Sequence, residues 1–172
     1  VKGMKNILAF LMTAGNNLEN WYHLGSYERE IKLYKELSMM NTKIIIFDYA
    51  SNTMWSNAPL SLKNDLESFG VEVIPLYGSY NGKNKGLRVI KSVVTACMFS
   101  AKLTHIKSNQ SKGAWLGILL KLKNKNARFL HRSGYSWSDF TFRLSKSKLK
   151  YFLTRSIELL TNIFSDEVHV AS

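Results

Sequence analysis

Six short apolar runs alternate with segments of helical periodicity, and this alternation restricts the fold more than any other feature of the chain. Runs of about four to eight residues that are rich in β-branched residues are typical of parallel strands covered on both faces. Strands that alternate with helices favour right-handed crossovers. We therefore predict an α/β fold, a Rossmann-like, doubly wound and mainly parallel sheet of about six strands with helices on both faces. The runs lie at 5–12, 43–49, 71–77, 103–107, 127–131 and 167–171.

The segments between the strands predict five helices and leave several polar segments as loops. The first helix has apolar residues at helical spacing at Leu24, Tyr27, Ile31, Tyr34 and Leu37, and two later helices carry a clear apolar stripe as well. The helices are predicted to begin near 24–26 and near 59, and to span about 87–101, 113–123 and 145–164. The stripes consist of Leu87, Ile90, Val94, Cys97, Met98 and Ala101 in one helix, and of Leu149, Phe152, Leu153, Ile157, Leu160 and Phe164 in the last.

The last helix leaves two interpretations open. Its apolar stripe can pack on the sheet, as in an ordinary amphipathic helix. Alternatively, its basic first half and the cations near the start of the 87–101 helix form a patch that contacts anionic lipid. These cations are Lys146, Lys148, Lys150 and Arg155 in the last helix, and Lys83, Lys85, Arg88 and Lys91 before and within the other.

The order of the strands determines which loops can meet. If the order is the common 3-2-1-4-5-6, the loops after strands one and four flank the point where the order reverses, and ligands bind there. Strand five is then the neighbour of strand four. We therefore predict that the loops 15–24, 108–113 and 131–137 share one crevice.

The first of these loops supplies free backbone N–H groups and the positive end of a helix dipole. Its candidate ligand-binding residues are Gly15, Asn16, Asn17, Gly25 and Ser26. This composition suits a phosphate or sugar hydroxyls, although an ordinary long connection remains an alternative.

A dinucleotide-binding fold is the rival explanation for this part of the chain. Asp48 ends strand two, where such folds place the acid that binds the ribose. The glycine-rich phosphate motif is missing, however, and Gly15 and Gly25 are too far apart for a tight phosphate turn. The pattern therefore disfavours a dinucleotide.

The second loop offers Asn109 and Gln110, whose amides both donate and accept hydrogen bonds, as groups that bind sugar hydroxyls do. Helix capping by Ser111 is the structural alternative. The third loop holds the densest cluster of candidate chemistry, His131, Arg132, Gly134 and Tyr135. A histidine at a strand end is also commonly structural, and only its place beside the other two loops makes it a catalytic candidate.

Composition excludes several classes of protein. The chain has 24 Lys and Arg against 12 Asp and Glu, a formal net charge of +12, which would attract an anionic partner. Nucleic acid is not expected as that partner, because no recognition motif is present. The four histidines, the single Cys97 and the carboxylates show no metal-ligand spacing, so no metal is expected. One cysteine cannot form an internal disulfide, which suits a reducing compartment, so a cytoplasmic location is expected. No apolar run reaches the roughly 18 residues of a membrane span, so no membrane-spanning helix is expected.

Four segments together resemble the N-terminal half of a bacterial family 4 glycosyltransferase. They are LGSYEREI at 24–31, NQ with GAW between 109 and 115, RSGYSW at 132–137 and SDEVHVAS at 165–172. Their order and spacing carry the resemblance, which spans nearly the whole chain. One departure is that His131-Arg132 precedes Ser133-Gly134, where the family often has a His-Gly pair. Which residue after strand five does the chemistry therefore stays open.

The resemblance implies one half of a GT-B fold, in which 4–172 is a single acceptor-binding domain and a C-terminal donor-binding domain lies outside this sequence. It implies a retaining, metal-independent transferase that uses a nucleotide-sugar, needs no cofactor and extends a saccharide or lipid-linked saccharide in cell-surface polysaccharide synthesis. The location would be cytoplasmic, peripheral on the inner membrane face, and the isolated domain would be inactive. The alternative is a basic Rossmann-like binding module that docks on an anionic partner without catalysis.

Overall fold

Each of the six apolar runs forms a strand, and the strands pair in the predicted order. The computed structural model describes residues 6–170. Four residues named in the predictions lie outside the described residues: Lys5 and Ala171 of the first and last strands, and the domain ends Met4 and Ser172. One sheet has the order β3-β2-β1-β4-β5-β6, and every pairing is parallel. The strands are β1 (Asn6–Leu11), β2 (Thr42–Asp48), β3 (Glu72–Pro75), β4 (His105–Ser108), β5 (Arg128–Ser133) and β6 (Glu167–Val170). The chain therefore has the Rossmann-like, doubly wound α/β fold, with its switch point between β1 and β4.

The helices include three short ones that the sequence interpretation assigned to loops or left unassigned. Each begins at a polar residue whose side chain accepts a hydrogen bond from the first turn. Asn17 accepts from the Asn20 N–H at 2.8 Å, and Ser51 and Ser136 cap the other two helices in the same way. The helices are α1 (Leu18–His23), α2 (Tyr27–Met39), α3 (Asn52–Ser56), α4 (Leu60–Ser68), α5 (Lys85–Met98), α6 (Trp115–Lys123), α7 (Trp137–Ser145) and α8 (Lys148–Phe164). The missed ones are α1, α3 and α7.

The core lies around the adjacent strands β1 and β2. Ile44 to Phe47 are buried without a break, as expected for a parallel strand covered on both faces. On the neighbouring strand, the ring of Phe10 packs against two other aromatic rings. Its centre lies 4.4 Å from that of Tyr34 in α2 and 6.0 Å from that of Trp21 in α1. The first half of the sheet is therefore tightly packed, and it supports the loops that follow β1 and β2.

The second half of the sheet alternates between buried and accessible residues. On β5, Phe129 and His131 are buried, whereas Arg128 and Arg132 are exposed. Gly117 of α6 lies against the ring of Phe129, and Glu158 of α8 shares a pocket with His131, so both helices pack on the buried side. All residues of β6 are exposed. Adjacent residues of β5 consequently have different surroundings, and this separates the two proposed catalytic residues, His131 and Arg132.

Helices α5 and α8 bury their polar sides. In α8 the buried residues are Thr154, Glu158 and Thr161, while Leu149 is 70% and Phe152 is 65% exposed. In α5 the buried residues are Ser92 and Ala96, and most of the predicted apolar stripe is exposed. The interpretation in which the α8 stripe packs on the sheet is therefore wrong for most of the stripe. Within residues 6–170, none of the helices is long and apolar enough to cross a membrane.

Candidate functional site

The loops after β1 and β4 are joined by hydrogen bonds at the switch point. The amide of Asn109 donates to the Thr13 hydroxyl at 3.2 Å, and its backbone N–H donates to the Leu11 carbonyl at 3.0 Å. The Ala14 N–H donates to the Lys112 carbonyl at 2.8 Å. The two loops are therefore held against each other, as the strand order predicts.

The loops after β4 and β5 are joined as well. Ser108 and His131 share a hydrogen bond of 2.7 Å between Oγ and Nδ1, and Ser111 and Ser133 share one of 3.1 Å between their hydroxyls. All three loops also contribute to one cleft of about 370 Å³, through Gly15, Gly113 and Trp137. The predicted shared crevice is confirmed, but most of the residues proposed for it lie in two neighbouring pockets instead.

The first of these, the polar pocket, brings together four of the candidate residues in a space of about 250 Å³. They are Asn16 and Ser26 from the first loop, and Asn109 and Gln110 from the loop after β4. All four side chains are half-buried, so they are held in place and still accessible. Amides and hydroxyls that both donate and accept are suited to sugar hydroxyls.

The start of α2 forms one wall of the polar pocket through Arg29 and Glu30, which pair with each other at 2.8 Å. Their charges offset each other, so this wall adds no excess positive charge to attract a phosphate. The carboxylate of Glu30 also opposes the attraction that a helix N-terminus exerts on anions. Of the two ligands expected for this loop, sugar hydroxyls fit the polar pocket better.

Three other residues of the first loop are not among those that line the polar pocket. Asn17 is buried and caps α1, which is a structural role. Gly15 and Gly25 have positive φ angles of 91° and 69°, a conformation that glycine adopts without strain. Gly25 is needed to turn the chain from α1 into α2, and Gly15 belongs to the 370 Å³ cleft.

The second neighbouring pocket, the histidine pocket, has a volume of about 160 Å³ and contains His131 and Tyr135. His131 is only 1% exposed, and burial lowers the pKa of its imidazole, with Glu158 acting in the opposite direction. The ring is therefore neutral at pH 7, with Nδ1 engaged by Ser108. Tyr135 is exposed beside it, and Gly134 is exposed with no atom within 4 Å of an added Cβ.

The two proposed catalytic residues lie on opposite sides of the sheet, because adjacent residues of a strand point to opposite faces. The structure therefore does not bring His131 and Arg132 together. The guanidinium of Arg132 lies 3.9 Å from the Glu30 carboxylate, on the side of α2. Since Glu30 lines the polar pocket, Arg132 is the one nearer to the candidate sugar-binding residues.

Glu158 is a site residue that the sequence did not reveal. It is buried in α8, and its carboxylate accepts hydrogen bonds from the Trp137 backbone N–H and, at 2.6 Å, from the Ser138 hydroxyl. It also lines the histidine pocket beside His131. The only available signal was a lone acid in a basic helix, and that signal does not specify which way the side chain points.

Asp48 does not have the role that a dinucleotide-binding fold would give it. It is 1% exposed, and its Oδ1 accepts a hydrogen bond of 3.1 Å from the Leu18 N–H at the start of α1. Burial raises the pKa of this carboxyl to about 7. The side chain anchors α1 and is not accessible to a ribose. Among residues 6–170 there is also no group of three or more His, Cys, Asp or Glu that could hold a metal ion.

Fold and site together define a Rossmann-like α/β protein with accessible hydrogen-bonding side chains at its switch point. No family model matches the chain, and no curated protein matches it in sequence. Among solved structures, a short-chain dehydrogenase from Oenococcus oeni PSU-1 aligns over 99% of this chain and 98% of that chain, with 14% identity and a TM-score of 0.45. A similarity at this level does not extend to substrate or reaction.

Proposed function

We propose that this chain is the acceptor-binding domain of a retaining, metal-independent glycosyltransferase of the GT-B type. The observation that carries the proposal is the polar pocket, in which Asn16, Ser26, Asn109 and Gln110 converge from two loops at the switch point. Ligands of doubly wound sheets bind at this edge. The acceptor is a saccharide or a lipid-linked saccharide in cell-surface polysaccharide synthesis, and the donor is a nucleotide-sugar.

In this proposal the chain positions the acceptor, and a second domain holds the donor. Catalysis comes from orienting the acceptor hydroxyl and from stabilising the charge of the departing diphosphate. Of the two catalytic candidates, Arg132 is better placed to stabilise that charge, because its guanidinium reaches the wall of the polar pocket at Glu30. His131, which is buried and bonded to Ser108, supports the loop after β5.

Binding of neutral saccharides to the 172-residue chain tests the proposal. Amide NMR spectra recorded with a panel of mono- and disaccharides should shift residues of the polar pocket. Asn109→Ala should weaken this binding by about tenfold, because a hydrogen bond worth roughly 1 kcal/mol or more is lost. The exposed Asn126 provides the matched control, and Asn126→Ala should leave the affinity unchanged. If none of the saccharides shifts the pocket, the proposal fails.

A second measurement tests the dependence on a donor domain. The chain alone should not transfer sugar from a nucleotide-sugar. Transfer by the purified chain that is lost in Arg132→Ala would show that the donor site lies within these residues and would contradict the division of roles.

The outer sides of α5 and α8 favour an anionic membrane surface as a partner. They expose large apolar side chains, including Ile90, Phe152 and Leu160. α5 contains no acid and exposes Lys91, and α8 exposes Lys148 and Lys150, while its only acid, Glu158, is buried. An apolar surface bordered by cations suits the interface of an anionic bilayer. We call the exposed sides of these two helices the basic apolar face.

The basic apolar face also favours the second candidate function, a binding module that docks on an anionic partner without catalysis. Co-sedimentation with anionic vesicles should show binding that salt weakens, whereas equal binding to neutral vesicles would rule out the electrostatic contribution. Membrane binding is expected under both functions. Saccharide binding in the polar pocket distinguishes them, since only the transferase needs it.

A further inference from the structure

The cleft of about 370 Å³ shared by the three loops has a chemical character of its own. We call it the basic aromatic cleft. It is lined by cations and aromatic rings, and no carboxylate lies among its lining residues. The cations are Lys85, Arg88 and Lys112, and the rings belong to Tyr49, Tyr77, Trp115 and Trp137.

The cations reach the cleft from two separate elements. Lys85 and Arg88 lie in the first turn of α5, whereas Lys112 belongs to the loop after β4. The Lys112 ammonium lies 3.2 Å from the position that a Cβ would occupy at Gly15. Three positive charges therefore surround one concave space on a chain whose net charge is already +12. A concave site of one sign with apolar walls concentrates the field on an oppositely charged ligand.

Arg88 is held in position before any ligand binds. Its guanidinium lies over the ring of Tyr77, 4.9 Å from the ring centre, and its Nε donates to the Gly82 carbonyl at 3.0 Å. A guanidinium with a fixed plane loses little freedom when it binds a phosphate. The first turn of α5 also contains no acidic residue, in contrast to the first turn of α2, which has Glu28 and Glu30.

The rings of Trp115 and Trp137 offer flat apolar surfaces beside the charges, since both are half-buried. Tyr49 and Tyr77 are buried and support the wall of the cleft from behind. Aromatic side chains present large contact areas at a small entropic cost. The ligand therefore combines an anionic group with a ring or another apolar part.

We propose that the basic aromatic cleft binds the phosphate or diphosphate group of a phosphorylated saccharide. The inference rests on the proposed function in one respect, namely that this ligand is the acceptor of the transfer reaction. The cleft and the polar pocket are adjacent, because Ala14 and Gly15 line the first while Thr13 and Asn16 line the second. A phosphorylated acceptor can thus place its anionic group in the cleft and sugar hydroxyls in the polar pocket.

Titration of the 172-residue chain with inorganic pyrophosphate, followed by amide NMR, tests the anion site. The double variant Lys85→Gln/Lys112→Gln should weaken binding by about tenfold or more, since charge-assisted hydrogen bonds are lost. The control variant Lys102→Gln/Lys125→Gln removes the same charge from exposed positions outside the cleft and should change the affinity less than about twofold. Unchanged spectra without ligand verify that both variants fold.

Equal weakening by the two double variants would overturn the inference, because it would reduce the effect to net charge. Failure of pyrophosphate to bind at all would overturn it as well. A hexose 1-phosphate and a short prenyl phosphate then separate the two sources of the phosphate. Tighter binding of the first indicates a soluble sugar phosphate, and tighter binding of the second indicates a lipid-linked acceptor. Either result supports the anion site.

The same spectra keep this inference distinct from the proposed function. If neutral saccharides shift the polar pocket and pyrophosphate shifts nothing, the anion site is refuted and the acceptor domain stands. If pyrophosphate shifts the cleft and the saccharides shift nothing, the anion site stands and the acceptor domain is refuted.

Discussion

The buried carboxylate of Asp48 allows a quantitative prediction about folding. The side chain lies at the end of β2 and is 1% exposed. Hydrogen bonds from backbone N–H groups, one of them from Leu18 at 3.1 Å, favour its ionised form, but burial outweighs them and raises its pKa from 3.8 to about 7. A shift of this size links the stability of the fold to pH.

The direction of this dependence follows from proton binding. The folded state holds the proton more tightly than the unfolded state, so the stabilisation is fully present below pH 3.8 and is lost as the pH rises through about 7. A difference of about three pKa units at 1.36 kcal/mol per unit corresponds to about 4 kcal/mol. This is a large share of the roughly 5 to 15 kcal/mol of net stability that a domain has.

Asp48→Asn should remove the dependence. The amide keeps a carbonyl oxygen that can accept the Leu18 N–H, replaces the acid's hydroxyl with an NH2 group, and carries no charge. We expect the two proteins to have similar free energies of unfolding near pH 4, and the variant to be more stable by up to about 4 kcal/mol near pH 8.

Urea unfolding followed by tryptophan fluorescence at a series of pH values measures this difference. Subtracting the two curves cancels the titration of other groups, including the buried His131. A difference that does not vary with pH, or a wild-type protein that gains stability relative to the variant as the pH rises, would refute the reasoning.

Three further predictions concern the loops and the basic apolar face. Gly113→Ala should destabilise the protein by more than about 1 kcal/mol in urea unfolding, because φ is +103° and a new Cβ would lie 2.6 Å from a tyrosine hydroxyl. Gly134→Ala is the control, since an added Cβ has open space there, and it should be nearly neutral. Glu158→Ala should lower the free energy of unfolding by about 2 kcal/mol or more, since a backbone N–H and a buried hydroxyl lose their acceptor. Lys148→Gln/Lys150→Gln should weaken partitioning onto anionic vesicles about 30-fold at low salt, because each lysine contributes about 1 kcal/mol to the attraction. Partitioning of the same variant onto neutral vesicles should be unchanged.

The strand order could be predicted from the sequence because it depends on patterns that extend over whole segments. Six apolar runs separated by helical segments leave few topologies once crossovers must be right-handed. The short helices could not be predicted in the same way. Each begins with a local capping bond, such as the one that Asn17 accepts from Asn20, and a polar run with such a residue looks the same as a loop. The acceptors that add to it, Asp48 for α1 and Glu158 for α7, are distant in sequence.

The candidate site was predictable to the extent that it depends on topology. Convergence of Asn16 with Asn109 follows from the neighbouring ends of β1 and β4. The separation of His131 from Arg132 also follows from strand geometry, since adjacent residues face opposite sides. The basic aromatic cleft could not be predicted, because Lys85 and Lys112 are distant in sequence and meet only through the path of the loop before α5.

The periodicity of α5 and α8 gives the helices but not the side that each buries. The buried side of α8 contains Thr154 and Thr161, whose hydroxyls donate to carbonyls of their own helix at 2.8 Å, and Ser92 does the same in α5 at 2.9 Å. Small side chains whose hydroxyls are already bonded can be buried at little cost and let the helices pack closely. The large side chains, such as Phe152, are left on the outside, where each forgoes roughly 1.5 to 3 kcal/mol of burial. A bilayer interface would supply that burial, and anionic lipid headgroups would neutralise the adjacent lysines.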